Sequence, residues 1–200
     1  MTGTESASNT TDRPGTRDRL MSAMIKVVGS EGLHAASVRT IARAAGCNEA
    51  VLYQHFPSKL AMQQAIFEEI INEMATEKKK IKERVNTPGE LIDDWVATTY
   101  RYYDQRPYAF SYVYLSYPPV QLNDKSLPSL NSKIFQESIE SLSESSSQPI
   151  NLNPATFSTF RAGLLGPPRD LHTGVLQGDA IDYAAPVAEA AKAILLKTPA

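Results

Sequence analysis

Cysteine is nearly missing from this chain: Cys47 is the single one in 200 residues. No internal disulfide can form, which fits a reducing compartment. Histidine is almost as scarce, and His34, His55 and His172 show no metal-ligand spacing. There is no glycine-rich phosphate loop, and no serine or cysteine stands beside a histidine in a recognisable nucleophile signature. Asp93 and Asp94 are adjacent, so on a helix they diverge and cannot easily share a site. Catalysis is therefore not expected, nor is a metal or an organic cofactor. No stretch stays apolar for the ~20 residues that span a bilayer, and the N-terminus has no apolar run of the signal-peptide kind. A soluble, cytoplasmic protein without membrane contact is the expectation. Alternating strand patterns and internal repeats are absent too, which leaves an all-α fold.

What is present is a real core and an uneven charge. Hydrophobic residues make up 42% of the chain, enough for one large or two small domains. The net charge is −2. Between Arg13 and Leu60, Arg13, Arg17, Arg19, Lys26, Arg39, Arg43 and Lys59 face only Asp18, Glu31 and Glu49. That head carries +4 and the rest −6. A basic head on an acidic body suits a polyanionic partner for the head alone.

Residues 1–16 are Thr, Ser, Asn and Gly with a basic end, and read as a disordered tail or arm. A first helix spans about Arg17 to Glu31, with Leu20, Met24, Val27 and Val28 on one face. Ser37 to Lys59 then reads as two short helices around a turn. Ser37 can cap the first, and Val38, Ile41, Ala42 and Ala45 give its apolar side. Gly46 suits a left-handed helix end. Asn48 can cap the second, Val51, Leu52 and Phe56 bury it, and Pro57 stops it. Helix, glycine turn and helix is the helix-turn-helix plan, whose second helix enters the major groove.

Ile41-Ala42, Ala45-Gly46, Leu52-Tyr53, His55-Phe56 and Lys59 closely resemble the DNA-binding signature of the tetracycline-repressor (TetR) family. The resemblance is specific over roughly residues 17–70; beyond, it is one of length and helical layout. Cys47 and Asn48 replace the usual Val and Ser/Thr, both mild changes. The resemblance implies a helix-turn-helix domain over 17–62 and a helical ligand-binding and dimerisation domain over 63–200, about nine helices in all. It assigns Arg39, Asn48, Glu49, Ala50 and Gln54 to base edges, and Ser37, Tyr53, His55 and Lys59 to phosphates. Alternatively, Tyr53 and His55 only close the small core. Cys47 is read as packing, since no basic neighbour or second thiol supports a redox role.

In the body, helix 4 should run from Ser58 towards Lys80, with the charged run Glu77 to Lys80 as a solvated end. Helix 5 covers about Glu90–Gln105, and a sixth helix covers Tyr108 to about Ser116. Seven of the nine tyrosines lie between Tyr100 and Tyr117. Met74, Trp95, Thr99, Tyr102, Tyr103, Phe110, Tyr112 and Tyr114 are the candidate ligand residues, apolar walls with sparse hydroxyls. Arg101, Asp104 and Arg106 are read as facing solvent. The effector should therefore be small and largely apolar or aromatic. Helix 7 should cover about Ser129–Ser145. Helix 8 should start at Pro154 and stop near Leu165, before Gly166-Pro167-Pro168, and a last helix should span Asp179 to about Leu196. In relatives the last two helices pair across a two-fold axis. That implies a homodimer through Phe157, Phe160, Leu164, Ile181, Ala184, Val187, Ala188, Ala191, Ile194 and Leu195, reading a palindromic operator. The family mechanism would be a repressor released when ligand tilts helix 4. A DNA-binding regulator without a small ligand, or an activator, is the alternative.

Overall fold

The computed structural model describes residues 15–115 and 122–197. The tail expectation up to residue 14, the Tyr117-Pro118-Pro119 stop and the last three residues lie outside them.

The described residues form helices joined by short turns. The first three are α1 (Thr16–Glu31), α2 (Val38–Ala44) and α3 (Glu49–His55). The long α4 (Lys59–Lys79) runs into a 3-10 turn at Lys80–Glu83. Next come α5 (Pro88–Gln105) and α6 (Pro107–Phe110), the latter continuing as a π-helical turn, Ser111–Leu115. The chain closes with α7 (Leu130–Ser146), α8 (Pro154–His172) and α9 (Ala184–Leu195). One antiparallel bridge, Ile150 to Leu196, is the sole strand-like pairing among the described residues. No helix among them is long and apolar enough to cross a membrane.

Side-chain caps fix where most helices begin. Ser37, Asn48, Ser58, Thr87 and Asn153 each accept a hydrogen bond from a first-turn amide of the helix that follows. Those amides have no intrahelical partner, so each cap contributes about 0.5–2 kcal/mol. Phe56 is extended (φ −135°, ψ 123°), as the following proline requires.

α5 is the central helix. Leu91, Ile92, Trp95, Val96, Thr99, Tyr100, Tyr102 and Tyr103 are all buried. α9 packs along it, with α4, α6, α7 and α8 around it. Buried residues form one continuous cluster from Leu20 to Leu195, so α1–α3 and the later helices share a core. The join is tight at α1 and α6. A Cβ added at Gly29 would lie 2.7 Å from Tyr108 Cδ1 and 3.0 Å from its Cα. Backbone cannot retreat cheaply, so Gly29→Ala is expected to destabilise by about 1–3 kcal/mol. A urea titration checks this; an unchanged midpoint would mean that α1 and α6 are not held this closely.

Three segments differ from expectation. α8 does not stop at Gly166 but runs through Pro167 and Pro168 to His172. The prolines lack the amides that would bond the carbonyls four residues back. Packing holds the helix instead: Pro168 is buried, and His172 Nε2 lies 3.2 Å from Ser111 Oγ. The sixth helix widens into a π turn after Phe110. Its Tyr112 hydroxyl donates to the Gln63 carbonyl at 3.2 Å, while Tyr114 meets α7. The last α-helix starts at Ala184, after a 3-10 turn over Ala180–Tyr183. Asp104 does not face solvent freely: its carboxylate accepts from the Ala180 and Ile181 amides, at 2.6 and 3.0 Å. Arg106 is ion-paired with Glu73.

Candidate nucleic-acid interface and ligand cavity

The α2–turn–α3 unit is built by local signals. Ser37 Oγ accepts from the Thr40 amide and Asn48 Oδ1 from the Val51 amide, both at 3.0 Å. Gly46 takes φ 70°, a left-handed turn that costs glycine little. Cys47 is half-buried against the core, and its amide donates to the Ala42 carbonyl at 2.9 Å. Ile41, Ala42, Ala45, Leu52 and Phe56 face inward and anchor α3 on α1. The rest of α3, apart from half-buried Val51, is turned outward.

Asn48, Glu49, Ala50, Tyr53, Gln54 and His55 are exposed, as are Ser37, the cap of α2, and Arg39 on α2. Lys59 is half-buried at the start of α4. Tyr53 is 53% exposed, so it does not close the core, and neither does exposed His55. These residues offer one guanidinium, two amides, two hydroxyls, an imidazole and one carboxylate, with little apolar area. Such groups match the donors and acceptors of base edges and phosphates.

The body holds a cavity of about 300 Å³ between α4, α5, α7 and α8. That is at the low end of the ~300–1,000 Å³ usual for small-molecule pockets. Its buried wall is Trp95, Phe135, Phe157, Phe160 and Leu164, with Thr99 and Asn131. Phe135 sits centrally, edge-on to Trp95 at 5.0 Å and stacked on Phe160 at 4.7 Å. Exposed Lys125, Ser129 and Arg161 stand at its rim.

Of the expected ligand residues, Trp95, Thr99 and Tyr114 line this cavity. Met74 and Tyr102 line a separate cleft between α4 and α5, of about 460 Å³. That cleft is polar, and its Glu73 already binds the Tyr102 hydroxyl and Arg106. Tyr103, Phe110 and Tyr112 are core: Phe110 meets Tyr103 edge-on at 5.4 Å.

The largest departure from the sequence reading concerns Lys78. Read as part of a solvated helix end, it is only 4% exposed and lines the cavity. Its ammonium sits 4.0 Å from the centroid of the Trp95 ring. No hydrogen bond or ion pair reaches it among the described residues. Burial pulls its pKa from 10.5 down to about 7, because desolvation penalises the charged form. Nearby, Asn131 Nδ2 donates to the Tyr114 hydroxyl oxygen at 2.9 Å, while the buried Asn131 Oδ1 has no partner among the described residues. Burial raises Tyr114 to about 12, against a smaller opposing effect of the Asn131 hydrogen bond.

The residues expected at a subunit contact are distributed differently. Phe157, Phe160, Leu164, Ala184, Ala188, Ala191 and Leu195 are buried inside their own chain. Phe157, Phe160 and Leu164 close the cavity, and α9 is spent against α5. Ile181, Val187 and Ile194 are not fully buried. Periodicity found the apolar faces of α8 and α9 but could not tell which neighbour covers them. No cluster of three or more His, Cys, Asp or Glu that could hold a metal occurs among the described residues.

A third, small pocket joins the two ends of the molecule. Val28, Gly29 and Leu33, from α1 and the loop after it, meet Ser111, Leu115 and His172 there. The π turn thus touches α1 through Ser111 and Leu115, and the cavity through Tyr114.

Comparison with known proteins finds this head and this fold elsewhere. Residues 20–66 match the model described as bacterial regulatory proteins, tetR family. The HTH-type transcriptional regulator UidR of Escherichia coli (strain K12) is 26% identical over 96 residues. That is 48% of this chain and 49% of UidR, so the chain spans about half the length of the curated relatives it matches. The fold extends further. The TetR-family transcriptional regulator PfmR from Thermus thermophilus superposes with TM-score 0.70 at 19% identity, covering 94% of this chain and 100% of that one. FadR from Bacillus subtilis, solved in complex with stearoyl-CoA, gives 0.70 at 14% identity over 86% and 95%. The helix-turn-helix head over residues 20–66 thus matches the tetR family of bacterial regulatory proteins, and the helical fold of the whole is shared with solved structures of that family.

Proposed function

We propose that this chain is a dimeric, ligand-responsive DNA-binding regulator of transcription that acts as a repressor. Arg39, Asn48, Glu49, Ala50 and Gln54 read base edges, and Ser37, Tyr53, His55 and Lys59 hold phosphates. A small, largely apolar molecule in the body cavity releases the operator. The observation that carries this reading is the continuity between cavity and head. α4 begins at Lys59, four residues after α3 ends, and carries Lys78 into the cavity wall. The π turn provides a second connection, from Tyr114 to the α1 residues around Gly29. A ligand that fits the cavity better in one arrangement of these elements shifts the head with it. It does so only by its difference in affinity for the two states.

The dimer follows from reach. One seven-residue recognition helix covers few base pairs, and two heads about 34–36 Å apart meet successive major grooves. The exposed sides of α8 and α9 carry small residues, Ser158, Ala162 and Gly163 on one and Ala185 and Ala190 on the other. Small side chains allow close helix approach, with Ile181, Val187 and Ile194 adding apolar area at the edges.

The test is selection of duplex DNA from a random pool by the purified protein. An inverted repeat with half-sites about 10 base pairs apart centre to centre is expected. Binding should weaken steeply with salt, as phosphate contacts require. No enriched sequence, or enrichment without two-fold symmetry, would contradict the proposal.

A further inference from the structure

Three cations and no carboxylate line the body cavity: Lys78, Lys125 and Arg161. Lys78 matters most. Lys78 lines both this cavity and the neighbouring cleft, and its ammonium lies over the ring of Trp95, which lines the cavity alone. On the cleft side, Glu73 is taken by Tyr102 and Arg106, and Glu77 by Lys80. Arg84, which pairs with Asp94, and Arg101 add only positive charge there. Of the residues outside the described ones, 116–121, Ser-Tyr-Pro-Pro-Val-Gln, hold no acidic side chain, and the acidic Glu5 and Asp12 belong to the N-terminal tail. An ammonium is almost never buried without a counter-charge, because desolvation costs far more than an aromatic face returns.

We propose that the effector is an amphipathic anion, whose acidic group pairs with Lys78 while its apolar body lies against Phe135, Phe157, Phe160 and Leu164. This deepens the cavity reading above and rests on it. The carboxylate supplies the missing counter-charge. Asn131 Oδ1, also buried and unpaired, can accept from a hydroxyl or amide N–H of a more elaborate ligand. Lys125 and Arg161 at the rim draw an anion towards the opening.

The pairing has a protonic signature. In the free protein at pH 8, above its lowered pKa of about 7, Lys78 is largely neutral. An anion beside it favours the charged form, so binding takes up close to one proton from the buffer. At pH 6 the ammonium is already formed and little uptake occurs.

The experiment uses decanoate and its neutral counterpart decan-1-ol, and follows Trp95, the one tryptophan of the chain. Fluorescence gives affinity, and calorimetry in two buffers of different ionisation enthalpy gives the proton count. Decanoate is expected to bind about tenfold or more tightly than decan-1-ol, since a charged hydrogen-bonded pair is involved. Lys78→Met, which keeps the apolar stem, should bring the two affinities together and abolish proton uptake. Equal affinities in the wild type would overturn the anion assignment and leave the cavity reading standing. A preference that survives Lys78→Met, or no proton uptake at pH 8, would also overturn it. If neither compound binds, both the assignment and the cavity reading fall.

Discussion

Replacing Lys78 with methionine is expected to stabilise the free protein at neutral pH, by roughly 3–5 kcal/mol. The folded protein holds Lys78 with a pKa lowered from 10.5 to about 7 by burial alone. Between those values the unfolded chain binds more protons than the folded one. Stability of the wild type therefore rises with pH across that window, by about 1.4 kcal/mol per unit for one fully shifted group. Below pH 7 the charged lysine is carried into the fold at full cost. Well above pH 10.5 it is neutral in both states and its penalty is gone. Methionine has a similar apolar stem and no charge to desolvate. The advantage of Lys78→Met should be largest near pH 6.5 and shrink steadily towards pH 10. Urea denaturation of both proteins from pH 6.5 to 9.5 checks this. Parallel curves, or a variant less stable throughout, would mean that Lys78 is solvated or paired.

The buried tyrosines set the upper limit of that window. Burial raises Tyr100, Tyr102, Tyr112 and Tyr114 above their ordinary value of 10.0. Their hydroxyls ionise first in the unfolded chain, so their contribution is full below pH 10 and is lost as pH climbs further. The stability maximum should consequently lie on the alkaline side of neutrality, near pH 9–10.

The second large effect is on DNA. Arg39→Ala is expected to weaken binding to the selected operator by about 1–3 kcal/mol per head, the worth of a bidentate base contact. Both heads of a dimer lose it, so the change becomes roughly 30-fold to 10⁴-fold. Arg39 is exposed on α2 outside the core, so the fold should be untouched. Lys59→Ala should behave differently, weakening operator and unrelated DNA alike and lowering the salt slope by about one per head. Anisotropy titrations on both duplexes separate these. A uniform loss for Arg39→Ala would move that residue from base to phosphate.

The contrast between head and body shows what a sequence makes legible. The head is specified locally. Ser37 and Asn48 cap, Gly46 turns, Pro57 stops and Leu52 buries, each within a few residues of what it controls. Its outward face follows from that register. The body's cavity is not local. Lys78 belongs to a Glu-Lys-Lys-Lys run that looks solvated, and only the position of α5 shows that one of the three lysines points inward. Phe157, Phe160 and Leu164 stand out in the sequence as an apolar face, but nothing along the chain says that α8 lays that face on the cavity. Pro167 and Pro168 break helices in isolation, and here packing of Pro168 and the Ser111–His172 contact carries α8 past them. Asp104 binds amides 76 and 77 residues away, which no pattern along the chain reports.

If the proposed coupling holds, filling the cavity loosens the head's grip on DNA. The most direct measurement is the affinity for the selected duplex with and without decanoate, at a concentration that saturates the Trp95 signal. Binding about 5- to 150-fold weaker is expected with decanoate present, the usual span of coupling between two sites. An unchanged affinity, with Trp95 fluorescence showing the cavity full, would contradict it.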